Sequence, residues 1–356
     1  MPHQDRADAI RKLNADLRSP RQRTQTGSGT WAIVLAAGEG SRLRALTTTA
    51  SGIAVPKQFC SLRGGASLLE EALQRAASVA PIERISSVVA EQHADWWRHP
   101  LAGLPPANVF VQPQNRGTAL GILLPLLHIF ERDPHARVVI LPADHHVGEE
   151  AILTRALVQA TAAARARPAD IMLLGITPEE PDPELGYIVP AGDAGAVSAP
   201  VAWFVEKPTA GEAKALIARG ALWNAFIIAA RASALLELFD RYDPNLLRRM
   251  RFAARRAIAS GDPSTALVDV YRRERTVDFS RDIVQRYGAL FRVLRVPACA
   301  WTDLGTVQRV TKTLLAAPRL AERPAVFRAG GLLNLEQQYR AARTVLAAGV
   351  MSGRQA

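Results

Sequence analysis

Cysteine is nearly absent: the 356-residue chain has two, Cys60 and Cys299. That excludes a disulfide-stapled scaffold and a Cys-based zinc cluster. Long apolar runs are missing too. The longest, Ala119 to Phe130, falls short of the roughly 20 residues that span a bilayer, and Pro125 and His128 interrupt it. No apolar block follows the basic residues of the first 29 positions, so they do not read as a secretory leader. No repeat of 20–50 residues and no hexapeptide series marks a solenoid or β-helix. Hydrophobic residues at 48% and charged residues at 22% match an ordinary globular protein. A soluble cytoplasmic protein of one large or two ordinary domains is expected.

Acidic residues are also in short supply, 33 against 44 basic ones, for a net charge of +11. Such a surplus suits nucleic acid, acidic membranes or small anionic substrates. Its densest run holds Arg241, Arg248, Arg249, Arg251, Arg255 and Arg256, with Tyr242 and Phe252 among them and Asp243 the one acid. No nucleic-acid motif accompanies it, and it reads as a solvated helix face. Neither nucleic acid nor membrane is expected as a partner. Lysine is scarce: five of the 44 basic residues. A lysine inside a motif therefore stands out as a compact point charge that arginine does not replace.

Apolar runs at Trp31–Ala37, Ile85–Ala90, Val109–Gln112, Val138–Leu141 and Ile171–Ile176 read as strands. Helical patterns lie between them, over Ser67–Ala80, Thr118–Phe130 and Glu149–Ala166. The alternation predicts an α/β fold, a mostly parallel sheet with helices on both faces, which binds ligands beyond the carboxyl ends of its strands. After Ile176 the rhythm changes. Tyr187–Val189 and Val201–Val205 are expected to pair across a turn at 192–195. Helices are expected around 210–219, 232–240, 245–259 and 264–273, then a strand from Phe291 to Pro297. Residues 1–29 read as an extension, and Leu332–Val350 as an outer helix.

Five segments carry chemistry. Leu35–Leu46, LAAGEGSRLRAL, follows a strand with small residues whose N–H groups can cradle phosphates, and Arg42 adds charge. In VPKQF, Lys57 follows a stiff proline. LPADHHV ends a strand on Asp144, a candidate Mg²⁺ ligand. Its His145 and His146 invite a zinc reading, but neighbours on an extended segment point apart. FVEKP ends a strand on Glu206 and Lys207. WTDLGT places Asp303 in a turn, as the partner for Asp144 at a metal.

In order along the chain, LAAGEGSRL, PKQF, QPQNRGTALGI, LPADHHV, LGYI, FVEKP, LWNAFI and WTDLGT resemble the sugar-1-phosphate nucleotidyltransferase family, and most closely its mannose-1-phosphate guanylyltransferases. The resemblance covers about Trp31 to Thr306. It implies a Rossmann-like sheet with a smaller sugar-binding insertion and C-terminal helices. The divisions would be an extension at 1–29, a nucleotidyltransferase domain at 30–310 and a helical tail at 311–356.

Site roles are implied as well. Leu35, Ala36, Ala37, Gly38 and Gly40 would wrap the nucleotide, with Arg42 and Lys57 on its phosphates. Gln112, Gly117 and Thr118 would read the base. Asp144 and Asp303 would hold Mg²⁺. Gly186, Tyr187, Glu206 and Asn224 would line the sugar site, and Lys207 would hold the sugar phosphate. The implied partners are an NTP, with GTP expected, and a sugar 1-phosphate, with mannose 1-phosphate expected; homo-oligomers are compatible with this. The chain departs from the guanylyltransferase pattern at Gln112-Pro113, where the family has Glu-Pro. It departs again at Gly117-Thr118-Ala119-Leu120 and at Trp223-Asn224-Ala225-Phe226, where the family has Trp-Asn-Ser-Gly. Base and sugar stay open at this point. A non-catalytic nucleotide-sugar-binding regulatory subunit is the second reading.

Overall fold

Alternate residues of the first strand, β1 (Thr30–Leu35), face opposite sides: Trp31 and Ile33 enter one core cluster, Ala32 and Val34 the other. The structure is a computed structural model and describes residues 29–49, 52–62, 64–192, 196–260 and 264–316. The expected extension up to residue 28, the turn tip at 193–195 and the tail helix at 332–350 lie outside the described residues.

Helix α1 (Leu68–Ala77) starts on a capping box in which Ser67 and Glu70 satisfy each other's backbone N–H groups. Then come β2 (Ile85–Ala90), β3 (Val109–Gln112), α2 (Gly117–Arg132), β4 (Arg137–Pro142), the short β5 (His146–Val147), α3 (Glu150–Ala166) and β6 (Ile171–Ile176). The hairpin follows, β7 (Gly186–Pro190) and β8 (Ser198–Glu206), and after it α4 (Ala210–Ala218) and β9 (Leu222–Arg231). Three helices, α5 (Ala232–Tyr242), α6 (Pro244–Ser260) and α7 (Ser264–Arg273), precede β10 (Phe291–Val296), β11 (Trp301–Thr302) and α8 (Val307–Ala316).

Nine strands form one sheet in the order β3-β2-β1-β4-β9-β6-β10-β8-β7. Helices cover both faces, as expected. Leu123 and Leu127 of α2, Leu235 and Phe239 of α5 and Met250 of α6 pack in the cluster with Trp31 and Ile33. Leu69 of α1 and Leu157 of α3 pack with Ala32 and Val34. Seven of the nine strands run in one direction, with β8 and β9 opposed to them. β1, β2, β3 and β4 pair in parallel, as do β6 and β10. β9 enters between β4 and β6 antiparallel to both, and β8 and β7 continue antiparallel, so the sheet is mixed. The cause is the segment LWNAFI, whose run into Arg231 makes a ten-residue strand. The hairpin forms as expected, with Tyr187 opposite Val205.

Helix α8 crosses the expected boundary at 310, and its Leu314 packs with Leu62, Leu68 and Leu304. The arginine run is a solvated face of α6: Arg248, Arg249, Arg255 and Arg256 are exposed, Arg249 pairs with Glu274 and Arg255 with Glu131. Among the described residues no helix is long and apolar enough to cross a membrane.

Candidate active site

The glycine-bearing loop after β1 is braced from below. Gln58 is buried, and its Nε2 donates to the carbonyls of Ala36 (2.9 Å) and Gly38 (2.7 Å). Gly40 has φ +60, and a Cβ there would lie 2.9 Å from the Lys57 backbone nitrogen. Only glycine fits this left-handed, close approach, so the first two motifs lock together through it. Arg42 reaches across to Glu184 at 3.3 Å, with both side chains half exposed.

Asp144 and Asp303 are brought together by a two-stranded ribbon. β5 and β11 pair antiparallel, Trp301 opposite Val147 and Thr302 opposite His146. Asp144 stands just before this ribbon and Asp303 just after it. Buried Lys57 joins them: its ammonium lies 3.0 Å from Asp144 Oδ2 and donates to the Asp303 carbonyl oxygen. Burial opposes ionisation of Asp144, but the Lys57 ammonium and His145 outweigh it and hold the carboxyl below its usual pKa. Asp303 accepts from the Gly305 N–H (2.9 Å) and from Arg309 through Oδ1. The same Arg309 donates through Nε to Asp182 (2.8 Å), ahead of β7. Two carboxylates that line one cavity with the glycine-bearing loop are an oxygen donor set that would fit Mg²⁺. The adjacent histidines diverge: His145 Nε2 is 3.6 Å from Asp144, and His146 Nδ1 is 3.6 Å from Glu71.

A cavity of about 480 Å³ runs over this centre. At one end it is lined by Leu35, Ala37, Gly38, Gln112, Gly117 and Thr118; near the acids by Arg42, Lys57, Asp144 and Asp303; at the other end by Gly186, Glu206, Lys207 and Asn224. Gly40 lines an adjoining cavity with Arg42, Lys57 and Asp144. Ala36 and Tyr187 do not line the main cavity. Ala36 is buried in the core. Tyr187 follows Gly186 on a strand and so faces the other way; it is fully buried, with its hydroxyl bonded to Asp182 and Trp223.

Gly186 leaves room for Glu206, whose Oε2 would lie 2.6 Å from a Cβ there. Burial first, and then the neighbouring Asp278, raise the Glu206 pKa to about 7. Lys207, Phe226 and Leu304 hold positive φ values near +50 around the site, the kind of backbone strain that collects where function constrains the chain.

Sequence reasoning missed Asn115, Phe226, Thr276, Asp278 and Ser280, all of which line the cavity. Asp278 caps the turn that follows it, accepting from the Arg281 N–H. In sequence it carries only the signal of a cap.

The site lies on the fold of the nucleotidyl transferases. The chain belongs to that family: the family's sequence model, described as nucleotidyl transferase, matches residues 31–317. The alginate biosynthesis protein AlgA of Pseudomonas syringae pv. tomato is 31% identical over 236 residues, 65% of this chain and 47% of that one. A mannose-1-phosphate guanylyltransferase of Klebsiella pneumoniae is 28% identical over 236 residues, 65% of this chain and 49% of its own. The chain spans about half the length of the curated relatives it matches. A solved structure from Thermus thermophilus, described as a mannose-1-phosphate geranyltransferase, superposes with a TM-score of 0.67 at 29% identity. The match covers 81% of this chain and 80% of that one.

Proposed function

We propose that the chain transfers a nucleotidyl group from an NTP, GTP foremost, to a sugar 1-phosphate, mannose 1-phosphate foremost. A phosphate oxygen of the sugar 1-phosphate attacks the α-phosphorus in line. The bond from that phosphorus to the β,γ-diphosphate breaks, and pyrophosphate leaves. The carrying observation is the meeting of Asp144, Asp303 and Lys57 in one cavity, between a glycine loop and the Glu206–Lys207 pair. The names of the matched relatives support the choice of sugar and base.

Asp144 and Asp303 would hold a divalent ion, Mg²⁺, which when bound neutralises phosphate charge. Arg42 and Lys57 bind the nucleotide phosphates, and Lys207 holds the sugar phosphate. Glu206 and Asn224 orient the sugar. No covalent protein intermediate is needed; the rate comes from positioning and charge neutralisation. Pyrophosphate release across a grid of NTPs and sugar 1-phosphates tests this. Turnover with GTP and mannose 1-phosphate above all other pairs is expected. Nucleotide binding without turnover on any pair would make the chain a regulatory subunit instead.

Glu206 gives the reaction a pH signature. With a pKa of about 7 against an ordinary 4.5, the folded chain keeps a proton that the unfolded chain has lost. Its contribution to stability is complete below about 4.5 and is lost as pH rises through about 7. Sugar binding runs the opposite way, because the carboxylate accepts through both oxygens and with full charge, whereas the protonated group turns one oxygen into a donor. The KM for the sugar phosphate is expected to rise as pH falls below about 7. Glu206→Gln should flatten that profile, and an unchanged slope in the variant counts against the role.

A further inference from the structure

Gln112 closes β3 at the base end of the cavity, and its amide has a fixed sense. Nε2 donates to the Tyr271 hydroxyl at 2.8 Å. Tyr271 stands on α7, fully buried, and its own proton goes to the Leu120 carbonyl of α2, 3.4 Å away. Toward Gln112 the hydroxyl therefore acts as acceptor, which turns the amide nitrogen to it and the amide oxygen away. Oε1 takes no hydrogen bond among the described residues, and Gln112 lines the cavity.

Beside it α2 begins. The Gly117 N–H donates to Asn115 Oδ1 and the Ala119 N–H to the Val277 carbonyl. The Thr118 N–H between them has no partner among the described residues, and Thr118 lines the same end of the cavity. An acceptor thus stands next to the electropositive start of a helix. Arg116 holds the arrangement together: its Nε donates to the Tyr271 carbonyl at 2.6 Å, and its own carbonyl accepts the Val277 N–H at 3.1 Å.

We propose that Tyr271 is a positioning residue that fixes the Gln112 oxygen toward the cavity, so that the base subsite takes a nucleotide with a lactam edge. Such an edge sets a carbonyl beside a ring N–H, as in guanine, hypoxanthine and uracil. The carbonyl meets the helix start and the N–H meets Oε1. Adenine and cytosine offer an amino group beside a bare ring nitrogen, which reverses both polarities. The helical excursion from α5 to α7, to which the arginine run belongs, thereby acquires a purpose, since it carries Tyr271 to Gln112. The inference rests on reading the cavity as a nucleotide site.

Calorimetric titration of the full chain with GTP, UTP, ATP and CTP tests it without requiring turnover. GTP and UTP are expected to bind at least about tenfold more tightly than ATP and CTP, the effect of one hydrogen bond lost against a buried partner. Tyr271→Phe frees the amide to turn and should narrow that ratio severalfold. Gln112→Glu, whose two oxygens both accept, should restore the ratio in the Tyr271→Phe background, an outcome that a merely structural tyrosine does not produce. Equal affinity for all four nucleotides, or a Tyr271→Phe effect that is uniform across them, overturns this inference and leaves nucleotidyl transfer standing. Absence of binding by any nucleotide overturns both.

Discussion

Asp144→Asn and Asp303→Asn are each expected to lower pyrophosphate release by about a thousandfold, the upper range for removing one preorganised electrostatic contact. Either substitution halves the carboxylate charge available to a divalent ion, and Asp144→Asn also takes from Lys57 its carboxylate partner, whereas Lys57 meets Asp303 through the backbone carbonyl. Shape is nearly conserved. After Asp303→Asn the remaining side-chain oxygen can still accept from Gly305 and Arg309, so the far-UV circular dichroism of both variants should match the parent. Steady-state rates at saturating substrates are the measurement. Near-parent turnover in either variant removes its carboxylate from the proposed metal-holding pair.

Gly117→Ala is expected to be the most destabilising of the glycine-to-alanine changes at the site, at about 3 kcal/mol. The left-handed backbone at φ +82 costs a residue with a Cβ about 1 kcal/mol. The rest, about 2 kcal/mol, comes from overpacking, because that Cβ would sit 2.2 Å from the Val277 carbonyl oxygen. The backbone there cannot retreat without dragging Thr276 and Asp278 out of the cavity wall, so nucleotide affinity should fall as well. Urea denaturation of the parent and the variant measures the loss. Gly38→Ala is the control: its φ is not positive and a Cβ there meets nothing within 4 Å, so its midpoint should stay within experimental scatter of the parent.

The parts of the site that sequence made legible share one property: each sits where a strand ends in a short, recognisable segment or beside a stiffening proline. Asp144 follows the apolar run of β4, Glu206 ends β8, and Lys57 follows Pro56, so local pattern placed all three. Tyr187 shows the limit of that approach. A motif names neighbours, but a strand sends neighbours to opposite faces, and Gly186 takes the cavity while Tyr187 takes the core. β9 escapes a local reading: its bulge against Gly175 and the positive φ of Phe226 are tertiary facts without a local signature. Asp278 reaches the cavity wall, and Tyr271 reaches Gln112, only through the return of the chain after α6 onto the start of α2, a long-range packing event that no spacing rule encodes.

The β5–β11 ribbon has a consequence for how the molecule comes into being. Its two halves lie about 150 positions apart in the chain, and loop-closure entropy grows only slowly with length, about 0.6 kcal/mol per doubling. Thermodynamically the distant pairing is therefore inexpensive, whereas contacts of such high contact order form slowly. During synthesis the emerging polypeptide can order β1 through β4, which are neighbours in the sheet, and still lack a complete acidic pair until the ribosome has passed Asp303.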